Sequence, residues 1–194
     1  MGLAITLKKL LIGRAFETEK GRIKLFGKMN WTLIPSRALA RNFQSIAEKN
    51  GEEFLYQLGY EAGYDAAEEM IKYMGLVPKS GWAAQNAVLS LLEFIGFGRT
   101  RFVKSKIKKD GQHHFVFHAY DNPVVEHAKA LFGEKSKVCN WFMGVYAAHG
   151  EMEMGIKNAK IVENKCVCKG APYCEWETKW LKSDTMNKRP AKGD

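Results

Sequence analysis

The chain has 194 residues, 46% of them hydrophobic and 12% aromatic, enough apolar material for one domain with a real core. No apolar run reaches the roughly 18 residues of a membrane-spanning helix, so no membrane span is expected. The formal charge of +9 is polarised, with Arg99, Arg101, Lys104, Lys106, Lys108 and Lys109 set against Glu52, Glu53, Glu61, Asp65, Glu68 and Glu69, which disfavours nucleic acid as a partner and favours a local electrostatic contact.

In chain order, residues 3–12 read as a short helix with Leu3, Leu7, Leu10 and Leu11 on one face. Lys8 and Lys9 break the apolar run there, so it does not read as a signal peptide, and a reducing cytoplasm is the expected location. Two short strands follow, over 22–26 and 30–34. Pro35 ends the second, and Ser36 is placed to cap a helix over 37–49 that stops at Asn50-Gly51. A longer helix is predicted over 52–74. Its Gly59, Gly63 and Ala67 form a smooth stripe, suited either to close packing inside the domain or to a homodimer contact.

A helix over 81–94 comes next. Residues 101–109 and 113–119 then alternate like strands around the turn signal Asp110-Gly111. Regular alternation puts Phe102, Lys104, Lys106 and Lys108 on one face and Val103, Ser105 and Ile107 on the other; His113 and His114 beside the turn read as exposed. Helices are predicted over 123–132 and 137–149, and a strand pair over 151–168 and 173–181 that turns at Gly170-Ala171-Pro172. The segment 182–194 is polar and reads as a disordered tail. The expected architecture is α/β of the α+β kind: a mixed, largely antiparallel sheet packed with helices in a single domain over 1–181.

The last third of the chain holds every cysteine. Without a secretory signal, clustered cysteines point to metal before disulfides. Glu163, Cys166 and Cys174 fall on one predicted hairpin, and Cys139 falls on the helix before it. A hairpin can deliver the first three to one point, with the helix pinned on by the fourth. Four protein donors leave no open position, the pattern of a structural zinc site. Cys168 sits two residues from Cys166, on the same face of a regular strand, so a site of four thiolates with Cys168 in place of Glu163 competes. Unmetallated buried thiols and an iron–sulfur cluster are further alternatives. For a small apolar ligand the candidate lining residues are Phe115, Phe117, Trp141, Phe142 and Tyr146, with His118 to supply a hydrogen bond; the competing reading is that the aromatic rings are plain core.

The segments Cys139-Asn140-Trp141-Phe142-Met143-Gly144, Val162-Glu163-Asn164-Lys165-Cys166 and Gly170-Ala171-Pro172-Tyr173-Cys174 resemble the 4-vinyl-reductase domain family. So do Gly21-Arg22-Ile23-Lys24-Leu25-Phe26-Gly27 and Leu33-Ile34-Pro35. That family includes predicted hydrocarbon-binding proteins and the sensory domains of phenol-responsive activators, and its fold is distantly related to transport-particle subunits. The resemblance implies a zinc ion held by three cysteines and a glutamate, which fall on Cys139, Glu163, Cys166 and Cys174. It implies a sensor or carrier of a hydrophobic or aromatic small molecule, acting through a dimer or a protein partner. A tetrapyrrole vinyl reductase, or its accessory, and an interaction scaffold of the transport-particle type are the other readings. Hydride chemistry needs a donor cofactor, and no G-x-G-x-x-G follows a predicted strand, so a non-enzymatic role is favoured.

Overall fold

The computed structural model describes residues 16–25, 27, 29–74, 89, 90, 92–107, 113–154, 156 and 159–180. The helix expected over 3–12, the turn at 108–112, most of the helix expected over 81–94 and the tail over 182–194 lie outside these residues. Residues 89, 90 and 92–94 are helical, as expected.

Three short strands open the described fold: β1 (Phe16–Glu19), β2 (Arg22–Leu25) and β3 (Met29–Trp31), paired antiparallel in that order. β1 was not foreseen. The segment expected to be strand up to residue 34 leaves the sheet after Trp31, and Leu33 and Ile34 stand exposed in coil. Helix α1 (Ser36–Asn50) begins one residue earlier than expected. Pro35, not Ser36, occupies its N-cap, and no side chain caps it; proline suits such a boundary because it has no N–H to satisfy. Gly51 ends α1 at φ +95°, a conformation that glycine adopts without strain, and α2 (Glu52–Met74) starts at once.

The second sheet is antiparallel throughout, in the order β4-β5-β7-β6, built from β4 (Arg99–Ile107), β5 (His113–Tyr120), β6 (Ala159–Lys165) and β7 (Cys174–Trp180). The regular alternation expected along β4 does not hold. A bulge between Phe102 and Lys104 lets Phe102 pair with Phe117 while Lys104 pairs with Val116. Phe102 therefore turns to the core side, packing on Phe115 and Phe117, and Lys104 keeps the other face.

Helix α3 (Pro123–Phe132) is capped by Asn122, whose Oδ1 accepts from the N–H groups of Val124 and Val125. Helix α4 (Cys139–Met154) runs through residues 151–154, which the sequence pattern assigned to a strand. It is buried almost all round because it lies between two layers. On one side Tyr146 packs against Phe117 and Trp176 of the sheet, with ring centroids 5.3 and 5.4 Å apart. On the other, α2 meets it through the glycine stripe. A Cβ at Gly59 would lie 2.0 Å from the Trp141 carbonyl oxygen, one at Gly63 would lie 2.7 Å from Val145 Cα, and one at Gly144 would lie 2.0 Å from the Tyr56 carbonyl oxygen. The stripe is used for helix packing inside the chain and is not free to join two copies.

Candidate metal centre

β6 ends at Lys165, with a bulge between Glu163 and Lys165. The chain then forms a short 3-10 turn (Val167–Lys169) and a left-handed Gly170 at φ +89° before entering β7 at Cys174. Within this loop the Cys166 carbonyl accepts from the N–H groups of Lys169 at 3.0 Å and Ala171 at 3.1 Å. The loop is therefore a hydrogen-bonded knuckle that brings Cys166 and Cys174 into one cluster. Glu163 pairs with Trp176 across β6 and β7, on the same face as Cys174. Cys139 enters from the first turn of α4.

The donor atoms of Cys139, Glu163, Cys166 and Cys174 all lie within 4.8 Å of one another, close enough to bind one metal ion. Cys139 Sγ is 3.6 Å from Cys166 Sγ and 3.8 Å from Cys174 Sγ. A disulfide would require about 2.05 Å. Tetrahedral coordination at about 2.3 Å from a zinc ion places thiolates about 3.8 Å apart, so the donor set and its spacing fit that ion. The N–H of Val167 points at Cys174 Sγ at 3.4 Å, the kind of outer hydrogen bond that supports a thiolate ligand.

The cluster's titration fits a cation site. Without one, hydrogen bonds with Cys166 and Cys174, together with burial, hold the Cys139 thiol well above its ordinary range. Burial first, and the charge on Cys166 next, raise the Glu163 carboxyl. Only Cys166 is pulled down, chiefly by its hydrogen bond with Cys139.

Cys168 lies outside the group of four. The chain has left the strand by then, so the same-face expectation fails, and Cys168 Sγ turns to the Val125 carbonyl at 3.7 Å.

Of the residues expected to line a ligand pocket, Phe115, Phe117, Phe142 and Tyr146 come together in the core at no more than 7% exposure. Trp141 is half-buried, stacked on Phe43 at 4.6 Å, with Phe97 edge-on to both Trp141 and Phe142. In this conformation these rings fill one another's space. The hydroxyls of Tyr146 and Thr100 meet at 2.6 Å, a polar pair on the cluster's edge. Burial holds the Tyr146 phenol up at about 12.

His118 does not join them. Its neighbours in sequence, Phe117 and Ala119, face the core, so His118 faces the other way, stacked on Tyr173 at 3.9 Å. There its Nε2 meets Glu175 Oε2 at 2.9 Å and its Nδ1 meets the Tyr120 hydroxyl at 3.1 Å. His114, expected to be exposed, is half-buried and bound to Glu177 at 2.6 Å on that same face.

Sequence reasoning missed a cleft of about 500 Å³ beside the cluster. Cys139 and Glu163 line it together with Glu52, Glu53, Tyr56, Lys137, Lys160 and Lys169, which come from α2, α4, β6 and the loops around them. No local pattern announces such a wall, because it is assembled from residues far apart in the chain.

Solved structures share this fold. The phenol-responsive sensory domain of the transcription activator PoxR, solved with phenol, matches with a TM-score of 0.70 and 20% identity, over 92% of this chain and 90% of that one. A vinyl-4-reductase family protein from Methanocaldococcus jannaschii matches with a TM-score of 0.51 and 16% identity, over 78% of this chain and 85% of that one. A trafficking protein particle complex subunit 3 from Naegleria fowleri, covalently bound to palmitic acid, reaches a TM-score of 0.49 at 14% identity, over 76% of this chain and 95% of that one. At these identities the likeness is one of fold, and the third overlap is too loose to build on. No family model matches the sequence, and no curated protein does.

Proposed function

We propose that this chain is a small-molecule-binding domain, a sensor or carrier for a hydrophobic or aromatic ligand, whose binding wall is held in place by one structural zinc ion. The observation that carries this reading is the cluster of Cys139, Glu163, Cys166 and Cys174, which ties the helix bearing Trp141, Phe142 and Tyr146 to the β6–β7 hairpin. Four protein donors close the coordination sphere, so the ion acts on the fold and not on a substrate. A solved sensory domain of the same fold holds phenol, which supports an aromatic ligand here. The domain spans 1–181, and among the described residues no helix is long and apolar enough to cross a membrane. We place it in a reducing cytoplasm, where the thiols stay free for metal.

The ligand site is assigned to the aromatic cluster between α4 and the β4–β5 hairpin. The Tyr146–Thr100 hydroxyl pair is the polar anchor, because two hydroxyls sharing one hydrogen bond keep a donor and acceptor capacity for a third group. Binding separates packed rings and so shifts α4 against its neighbours, which is the change a dimer or protein partner reads. Such a dimer uses a face other than the glycine stripe.

Native mass spectrometry of chelator-free protein tests both parts. One zinc per chain is expected, and phenols should quench the fluorescence of Trp141 and Trp176. Tyr146→Phe should weaken that binding by about three- to tenfold, the loss of one hydrogen bond. Zinc without any aromatic binding would replace this reading with a zinc-stapled interaction scaffold.

A further inference from the structure

The four donors of the cluster do not meet solvent alike. Cys139, Cys166 and Cys174 are 2–4% exposed, whereas the Glu163 side chain is 14% exposed and lines the cleft. Glu163 is also the donor with an ionic partner: Lys169 Nζ lies 3.3 Å from its Oε2, while Trp176 Nε1 lies 3.5 Å from its Oε1. Lys169 belongs to the same 3-10 turn that presents Cys166, and its own N–H binds the Cys166 carbonyl. The loop that builds the metal site thus also sets where that ammonium stands. Further along the cleft, Lys137 faces Glu52 at 3.8 Å and Lys160 pairs with Glu53. The buried Tyr56 hydroxyl accepts from the Ile161 N–H at 3.0 Å, which leaves its own proton for another acceptor in the cleft.

Resting on the zinc reading above, we propose that this cleft is the exchange port of the metal site. Glu163 is the releasable donor, Lys169 is the positioning residue that governs its release, and the incoming species is a small chelating molecule that enters through the cleft. A carboxylate binds zinc less tenaciously than a buried thiolate, and of the two donors that line the cleft, Cys139 and Glu163, the carboxylate is the more exposed. Exchange is ligand substitution without electron transfer: the Glu163 carboxylate leaves the ion and the hold of Lys169 as an anion, and a donor atom of the incoming chelator takes its place. Bonded to Glu163 Oε2 at 3.3 Å, the Lys169 ammonium orients that carboxylate among the donors. Groups that orient metal ligands are typically worth about 10–100-fold in metal affinity.

The test uses the zinc-loaded full chain mixed with excess 4-(2-pyridylazo)resorcinol, an anionic chelator, with release followed by absorbance. Lys169→Met should release zinc about tenfold faster than the wild type. Lys169→Arg should restore slow release, and Lys165→Met, which removes a lysine paired with Glu175 on the opposite sheet face, should leave the rate unchanged. Cobalt(II) substitution should give the same visible spectrum in Lys169→Met as in the wild type, showing that the thiolate set is intact. Equal release rates in wild type and Lys169→Met, or an Arg variant as fast as the Met variant, would overturn the port while leaving the zinc reading standing. A wild-type chain that binds neither zinc nor cobalt would overturn both.

Discussion

At the residue scale, the metal reading turns on which thiol does what. Cys174 is almost fully buried, faces Cys139 at 3.8 Å and receives the Val167 N–H. Because structural metal binding is folding free energy, Cys174→Ser should cost about 4 kcal/mol or more, lowering the melting temperature by roughly 10 °C. The variant should also lose the response to EDTA that the wild type shows. An unchanged melting temperature would count against the site. Cys168→Ser supplies the contrast. Its sulfur serves the Val125 carbonyl, so one metal per chain should remain, at a cost of about 1 kcal/mol. Loss of the metal in that variant would put Cys168 among the ligands. The sequence allowed either Glu163 or Cys168, since both lie near Cys166. What separates them is the 3-10 turn, which breaks the period-two alternation just where the ambiguity lay.

At the scale of elements, the described helices were legible and the strands less so. Apolar periodicity and the Gly51 stop marked α1 and α2 closely, because a helix announces itself over many residues. Strands of three or four residues carry too few positions for a period to show, which is how β1 escaped notice. The bulge in β4 inserts one residue, Val103, and exchanges the faces on either side of it; nothing in the local composition marks that insertion. His118 is a different case, since alternation alone puts it opposite Phe117. The glycine stripe carried two meanings in the sequence, and the structure settles on internal packing. Gly59→Ala and Gly144→Ala each drive a methyl group into backbone across the α2–α4 contact, where no flexible side chain can give way. Each should destabilise the fold by about 3 kcal/mol, measured by urea denaturation. A variant within 0.5 kcal/mol of wild type, on the order of a neutral surface change, would mean that α2 and α4 stand farther apart than described.

At the scale of the whole molecule, the metal centre joins α4 to the β6–β7 hairpin, so its protonation chemistry should govern the stability of the entire domain. In the metal-free chain, burial raises the Glu163 carboxyl, so its contribution to folding is fully present below the ordinary carboxylate range and is lost as pH rises through its folded value. The Cys139 thiol, held up by Cys166, Cys174 and burial, likewise stays protonated through neutral pH. Metal must displace these protons, so its apparent affinity rises with pH while the metal-free fold loses the Glu163 contribution. The two trends have opposite signs. The gap in melting temperature between zinc-loaded and EDTA-treated protein should therefore widen steadily from about pH 5 to about pH 8. Scanning fluorimetry across that range, with and without chelator, measures it directly. A gap that stayed constant would mean that the ion binds elsewhere, on groups that hold no protons in its absence. A gap that widens in the wild type and vanishes in Cys174→Ser would tie the whole domain's stability to this one cluster.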